Sequence, residues 1–199
     1  YHGTVTSTSN PLAVNDRFSN PSSAYEFDGD DSIYFGDEML DEFPSSSDSF
    51  TISVWLKHNT TTLRNFMSLG QYGCSNINRG SVFRTAGNNN SEFSGCNKRG
   101  KIDGNYADNN WHHYVFKYDK SIGRSVYIDG IQKDVERNSE TNLHNIITYG
   151  LTIGGGYQHN VTLLGFIGQI DDVKIWKNPL TEEEILNLYN DESTPPPIP

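Results

Sequence analysis

The chain has 199 residues, 12% of them aromatic, with eleven Tyr and ten Phe against two Met, and a formal net charge of −10 with a pI near 4.9. That length suits a single all-β domain. The acidity excludes an electropositive nucleic-acid or anionic-membrane surface and suits cation binding. No stretch approaches the roughly 20 apolar residues of a membrane helix, and no signal-peptide pattern opens the chain, as expected of a mature protein or an excised module.

Short apolar runs recur, with Asn, Ser, Gly and Thr crowding the gaps between them. Alternation predicts strands at 24–28, 32–36, 50–58, 64–70, 80–85, 92–95, 99–103, 111–118, 124–129, 151–154 and 163–176, the spacing of a two-sheet sandwich. Ser23 to Phe35 reads as a strand, a turn built on Asp28, Gly29, Asp30 and Asp31, and a second strand from Ile33. Trp111 to Asp119 alternates on both faces, as a central strand packed on two sides does, and Ser125 to Gly130 runs into an Asp-Gly hairpin turn.

The stretch from Gly165 to Tyr189 reads as a long strand, a turn and a short helix. Strict alternation puts Asp171 on one face with Val173 and Ile175. A carboxylate at a core position is costly when unpaired, so something must neutralise it. Thr181 opens a capping box with Glu184, Glu182 and Glu183 sit at the positive end of the helix dipole, and Ile185, Leu188 and Tyr189 form the apolar stripe. Residues 193–199, STPPPIP, favour an extended polyproline spacer. The expected organisation is one domain over 1–192 and a Pro-rich linker over 193–199 leading to further modules of the same polypeptide.

Cys74 and Cys96 can pair in only one way, and both lie in a polar Gly- and Asn-rich segment without a zinc-type Cys-x-x-Cys. A disulfide there would close a loop worth roughly 3 kcal/mol, and it implies an oxidising compartment, hence a secreted or cell-surface protein.

The order of HGTV (2–5), DRF (16–18), AYEFDG (24–29), SFTISVWLK (49–57), WHHYVFKYD (111–119), VYIDG (126–130), LTIGGG (151–156) and GQIDDVKIW (168–176), closed by the helix, resembles the laminin-G-like domain of the concanavalin A-like lectin/glucanase superfamily, in particular its bacterial jelly-roll version. The resemblance covers essentially the whole chain to about Glu192. It implies an all-β jelly roll of two antiparallel sheets with one short C-terminal helix. It also implies a structural calcium ion, with ligands that fall here on Asp28, Asp30 and Asp171. Calcium takes 6–8 oxygen ligands, and a tight acidic turn supplies carboxylates and carbonyls together. The segment from 72 to 100 departs from the common pattern.

Glycoside hydrolases place two carboxylates across the scissile bond. The nearest approach here, Glu26-Phe27-Asp28-Gly29-Asp30-Asp31, turns where such a strand should continue. His112 and His113 are adjacent on a strand, point to opposite faces and cannot chelate one metal together. The expectation is therefore a non-catalytic extracellular module, calcium-stabilised, that recognises a glycan or another cell-surface ligand. A protein-interaction or adhesion module without sugar specificity is the alternative. Candidate ligand contacts are Tyr72, Asn78, Arg79 and Arg84 in the Asn-rich segment and Tyr157 and His159 after the GGG turn. Trp55, Trp111 and Trp176 sit within strands, where core packing is their ordinary role.

Overall fold

Period-two alternation gives each strand one apolar face, and two such faces close on each other. The computed structural model describes residues 4–5, 10–35, 49–75, 78–85, 91–95, 98–102, 104–136, 150–158 and 161–195. Its strands are β1 (Thr4–Val5), β2 (Leu12–Val14), β3 (Ala24–Asp28), β4 (Ile33–Phe35), β5 (Phe50–Lys57), β6 (Arg64–Ser75), β7 (Asn78–Thr85), β8 (Ser91–Gly95), β9 (Lys98–Ile102), β10 (Trp111–Asp119), β11 (Gly123–Ile128), β12 (Ile131–Glu136), β13 (Leu151–Ile153), β14 (Gly156–Gln158), β15 (Val161–Leu163) and β16 (Ile167–Trp176), followed by helix α1 (Glu182–Glu192). The first sheet has the order β1-β4-β13-β6-β7-β8-β9, the second β12-β11-β10-β5-β16-β3-β2, and β14 with β15 forms a separate hairpin.

This is the expected two-sheet antiparallel sandwich with one helix. Between the sheets lie Phe27, Ile52, Val54, Leu56, Phe66, Phe83, Tyr114, Phe116, Ile128 and Ile170. Phe66 meets Phe116 at 5.6 Å and Phe83 meets Phe116 at 5.0 Å between ring centroids. Each such side chain contributes about 1.5–3 kcal/mol on burial. The Asp-Gly turn is as predicted, with Asp129 and Gly130 both at positive φ, 52° and 73°, joining β11 to β12. Strands β2 and β12 were not legible as strands. Both are sheet edges, and β12, IQKDVE, carries the charges that blunt an edge. Ser193 to Pro195 leave the helix without further regular structure, and residues 196–199 of the expected linker lie outside the described residues.

One strand breaks the predicted alternation. Opposite β5, Asp171 pairs with Trp55 but Lys174 pairs with Ser53, so β16 spends one residue more than its partner, with Asp172 at φ 44°. The bulge reverses parity. Val173 and Ile175 pack on the inner core, while Asp171 turns outward beside Trp55. The expected sharing of a face by Asp171, Val173 and Ile175 therefore fails, because the extra residue rotates the chain between them.

Helix α1 covers the outer face of the second sheet. Thr181 accepts from the Glu184 amide and the Glu184 carboxylate accepts from the Thr181 amide at 2.7 Å, the predicted capping box. Ile185 and Leu188 pack with Val115, Tyr127, Leu180 and Trp176. Tyr189 lies parallel to both Trp55 and His113, each at 6.0 Å, and Trp55 stacks on His113 at 5.1 Å. The His113 Nε2 lies 2.7 Å from the Ser53 hydroxyl.

Burial pushes the His113 pKa down to about 4 against the pull of Glu192, and burial likewise lowers His58 to about 4. The unfolded chain keeps the ordinary value of 6.5 and so binds more protons between that value and about 4. These two histidines thus contribute stability that is lost as pH falls through the window. His112 acts with the opposite sign: its hydrogen bond to Asp129 raises its pKa, so its contribution is complete below 6.5 and is lost as pH rises through the folded value. In urea titrations from pH 7 to pH 4 the unfolding midpoint should decline, and His113→Asn should make that decline shallower than in the wild type.

Candidate functional site

The cation that Asp171 requires is Arg17. The turn before β3 aims it: the Asp16 carboxylate accepts from the amides of Phe18 and Asn20, both at 2.8 Å, and so fixes the loop. Arg17 Nη1 donates to Asp171 at 2.5 Å, Nη2 to Asp172 at 2.7 Å and Nε to the Glu192 carbonyl at 3.0 Å. Its guanidinium lies 4.7 Å from the Trp55 ring centroid and 4.6 Å from that of Phe18. The Glu192 carboxylate is itself buried, taking the Trp55 indole N–H at 2.7 Å and the Lys174 ammonium. One ionic cluster therefore pins the loop after β2, the β16 bulge and the end of α1 together.

A cleft of about 310 Å³ opens beside this cluster, lined by Asp16, Arg17, Phe18, Asn20, Asp172 and Asp191 among others. Three of its carboxylates are committed, those of Asp16, Asp171 and Asp172, while exposed Asp191 accepts a hydrogen bond through its backbone carbonyl. Asp16 is held below its ordinary pKa by hydrogen bonds from Asn20 and Phe18, against the opposing effect of burial. Burial and the adjacent Asp172 push Asp171 upward, but the group is clamped to Arg17. Asp171 and Asp172 are neighbours in the chain on one guanidinium, so they cannot take positions on opposite sides of a scissile bond. The cleft can donate and accept hydrogen bonds, and its buried acid, Asp171, is held in an ion pair.

A second polar group lies at one end of the sandwich. His112 Nδ1 is 2.8 Å from Asp129 and Nε2 is 3.2 Å from Asp108, so the imidazole ties the 104–110 loop to the β11–β12 turn. Tyr106 packs edge-on against it at 5.2 Å.

The residues expected to hold calcium are not brought together. Asp28 ends β3 opposite Ile167, and from Ile167 to Asp171 the strand rises about 13 Å. Asp28 and Asp30 are exposed, with the Asp28 carboxylate accepting the Asp30 amide at 3.0 Å, and buried Asp31 accepts the Asp28 amide at 3.1 Å. Among the described residues no group of three or more His, Cys, Asp or Glu is arranged to hold a metal ion. The three aspartates do not converge on one point: Asp171 is paired with Arg17, four residues along β16 from the position opposite Asp28.

Arg84, expected as a surface contact, is 5% exposed and donates to Asn65 at 2.9 Å. Its place on β7 opposite Asn65 of β6 makes it part of the buried sheet instead. The backbone sets Asn78 and Arg79 on β7 opposite Ser75 and Cys74, Tyr72 on β6, and Tyr157 on β14 opposite Thr162. His159 and Cys96 lie outside the described residues, and the Cys74–Cys96 bond with them. Sequence reasoning missed Arg17 as the neutralising group, although the DRF motif and the unpaired Asp171 were both visible.

Removing one partner of a buried ion pair leaves the other uncompensated. Arg17→Met should lower stability by about 3–5 kcal/mol, and adding Asp171→Asn should recover part of the loss. Denaturant unfolding of the two single variants and the double variant reads both effects.

The family profile for laminin G-like domains, described as the concanavalin A-like lectin/glucanases superfamily, matches residues 27–186. Calsyntenin-1 of Drosophila melanogaster is 28% identical over 204 aligned residues, covering 81% of this chain and 20% of that protein, so the chain spans about a fifth of that relative's length. Among solved structures, domain 4 of AbnA, an extracellular arabinanase from Geobacillus stearothermophilus in complex with arabinotriose, superposes with a TM-score of 0.71 at 18% identity, covering 94% of this chain and 87% of that one. The CBM40 domain of the Ruminococcus gnavus IT-sialidase bound to α2,3-sialyllactose gives 0.61 at 14% identity, covering 91% and 97%. With the sandwich, the bulged β16 and the capped helix in place, the chain belongs to the laminin G-like family of the concanavalin A-like lectin/glucanases superfamily.

Proposed function

We propose that this domain is a non-catalytic, extracellular module of a larger polypeptide that recognises carbohydrate. The observation that carries the reading is the chemistry of the Arg17 cleft: Asp171 and Asp172 are tied to a guanidinium and Asp16 to backbone amides, so these three serve hydrogen bonding and not proton transfer. Membership of a lectin-like superfamily supports the reading. So does the likeness in fold to an arabinanase domain in complex with arabinotriose and to a sialidase module bound to sialyllactose. Function on such a scaffold resides in exposed groups positioned by a rigid sandwich.

A protein-interaction or adhesion module is the second reading, and the fate of the indoles favours it. Trp55 is buried under Arg17 and Tyr189, which removes it from sugar stacking, and Trp176 is half-buried against the helix cluster.

A glycan array run with calcium and with a chelator separates these. We expect binding to at least one glycan class, insensitive to the chelator because Arg17 already neutralises Asp171, and no release of reducing sugar from any polysaccharide. An array without hits, alongside capture of a defined protein ligand, would replace the carbohydrate reading with the interaction module. Hydrolysis abolished by Asp171→Asn or Glu26→Gln would overturn both.

A further inference from the structure

We propose that Trp111, Lys57, Gln169, Glu26 and Leu12 form the ligand platform, on the part of the outer sheet face that helix α1 leaves uncovered, and that its occupant is a neutral oligosaccharide. This rests on the carbohydrate-binding reading and gives it a location that the sequence did not suggest.

The row follows from register. Directly opposed residues of antiparallel strands project from the same face. Trp111 opposes Lys57, Lys57 opposes Gln169, Gln169 opposes Glu26 and Glu26 opposes Leu12, without a break across β10, β5, β16, β3 and β2. The face is the helix-bearing one. Trp111, Lys57 and Gln169 each stand two residues from His113, Trp55 and Asp171, which lie beneath Tyr189 and Arg17. One row further along, the cover ends: Trp111, Lys57 and Gln169 are half-buried, Glu26 is exposed and Leu12 is 65% exposed. The Gln169 amide nitrogen lies 3.4 Å from the Glu26 carboxylate, as a shared face requires. At about 4.8 Å between strands the row runs about 19 Å, enough for an oligosaccharide of several rings.

Chemistry fixes the occupant. An indole offers a flat apolar surface, Lys57 donates hydrogen bonds, Glu26 accepts them and Gln169 does both. That combination matches the C–H face and hydroxyl rim of a sugar. The charges of Lys57 and Glu26 cancel within the row, while the chain at −10 repels an anionic ligand. A protein partner would need an apolar centre, and here the two apolar groups stand at opposite ends of a polar row. Exposed Asn59, Asn109 and Asn110 border it, on loops joined by the Asn109 amide donating to the His58 carbonyl at 2.9 Å.

The test is calorimetric titration with arabinotriose and a panel of neutral oligosaccharides, with α2,3-sialyllactose as the anionic comparator, on wild type and on Trp111→Ala, Trp111→Tyr, Gln169→Ala and Tyr72→Ala. Expected is binding of a neutral glycan that Trp111→Ala weakens at least about tenfold, as truncation of an anchoring aromatic does. Gln169→Ala should weaken it less, Trp111→Tyr should restore most of it, and the melting temperature of Gln169→Ala and Trp111→Tyr should stay near wild type. If wild type binds and neither Trp111→Ala nor Gln169→Ala weakens it, or if Tyr72→Ala alone does, the platform is wrong while the carbohydrate reading stands. A preference for sialyllactose overturns the neutral occupant. No binding by wild type to any probe, or self-association lost in Trp111→Ala, overturns the platform and the reading beneath it.

Discussion

The structure turns on one extra residue in β16. The bulge at Asp172 reverses the parity of the strand, so that Ile170, Val173 and Ile175 all serve the core while Asp171 is delivered to the outer face. A carboxylate there, 7% exposed, needs a cation, and Arg17 answers it from a loop that lies far away in sequence. The same guanidinium then reaches Asp172 and the last turn of α1, so the helix is fixed by the consequence of the bulge as much as by its apolar stripe. Buried ion pairs are weak contributors in net terms, yet they are costly to half-remove, which suits them to specifying geometry.

That arrangement bears on function. Glycoside hydrolysis needs a pair of facing carboxylates, and here Asp16, Asp171 and Asp172 beside the cleft are spent on architecture. Asp171 and Asp172 grip Arg17, Asp16 closes its own turn, and Glu192 is shared between Trp55 and Lys174. The exposed groups that remain offer hydrogen bonding and stacking on a rigid surface. The helix divides the outer face of the second sheet into a covered part, dense with aromatic and ionic contacts, and an open row where Trp111 stands beside Lys57, Gln169 and Glu26.

Much of the fold was legible because it is governed by local chemistry. The strand from Trp111 to Asp119, the Asp-Gly turn at 129–130 and the Thr181–Glu184 capping box depend on side-chain alternation, positive φ and hydrogen bonds within a few residues, and each stands where the pattern put it. The edge strands β2 and β12 were missed, β2 because three residues are too few for alternation to show and β12 because IQKDVE carries charges on a sheet edge. The site was less legible. Asp171 was rightly marked as needing neutralisation, but the group that pairs with it, Arg17, comes from a loop far away in sequence. Arg84 was placed among surface residues because its neighbours are polar, whereas its strand carries it into the sheet.

The sequence by itself determined the class of fold, the position of most strands, the helix with its cap and the family to which the chain belongs, because periodicity and short-range capping are written in consecutive residues. Only the tertiary structure decided which way Asp171 points, what neutralises it and which indole is buried. Those outcomes depend on register between strands distant in sequence, and a single bulged residue, which alternation cannot register, changes the face on which every later side chain lies.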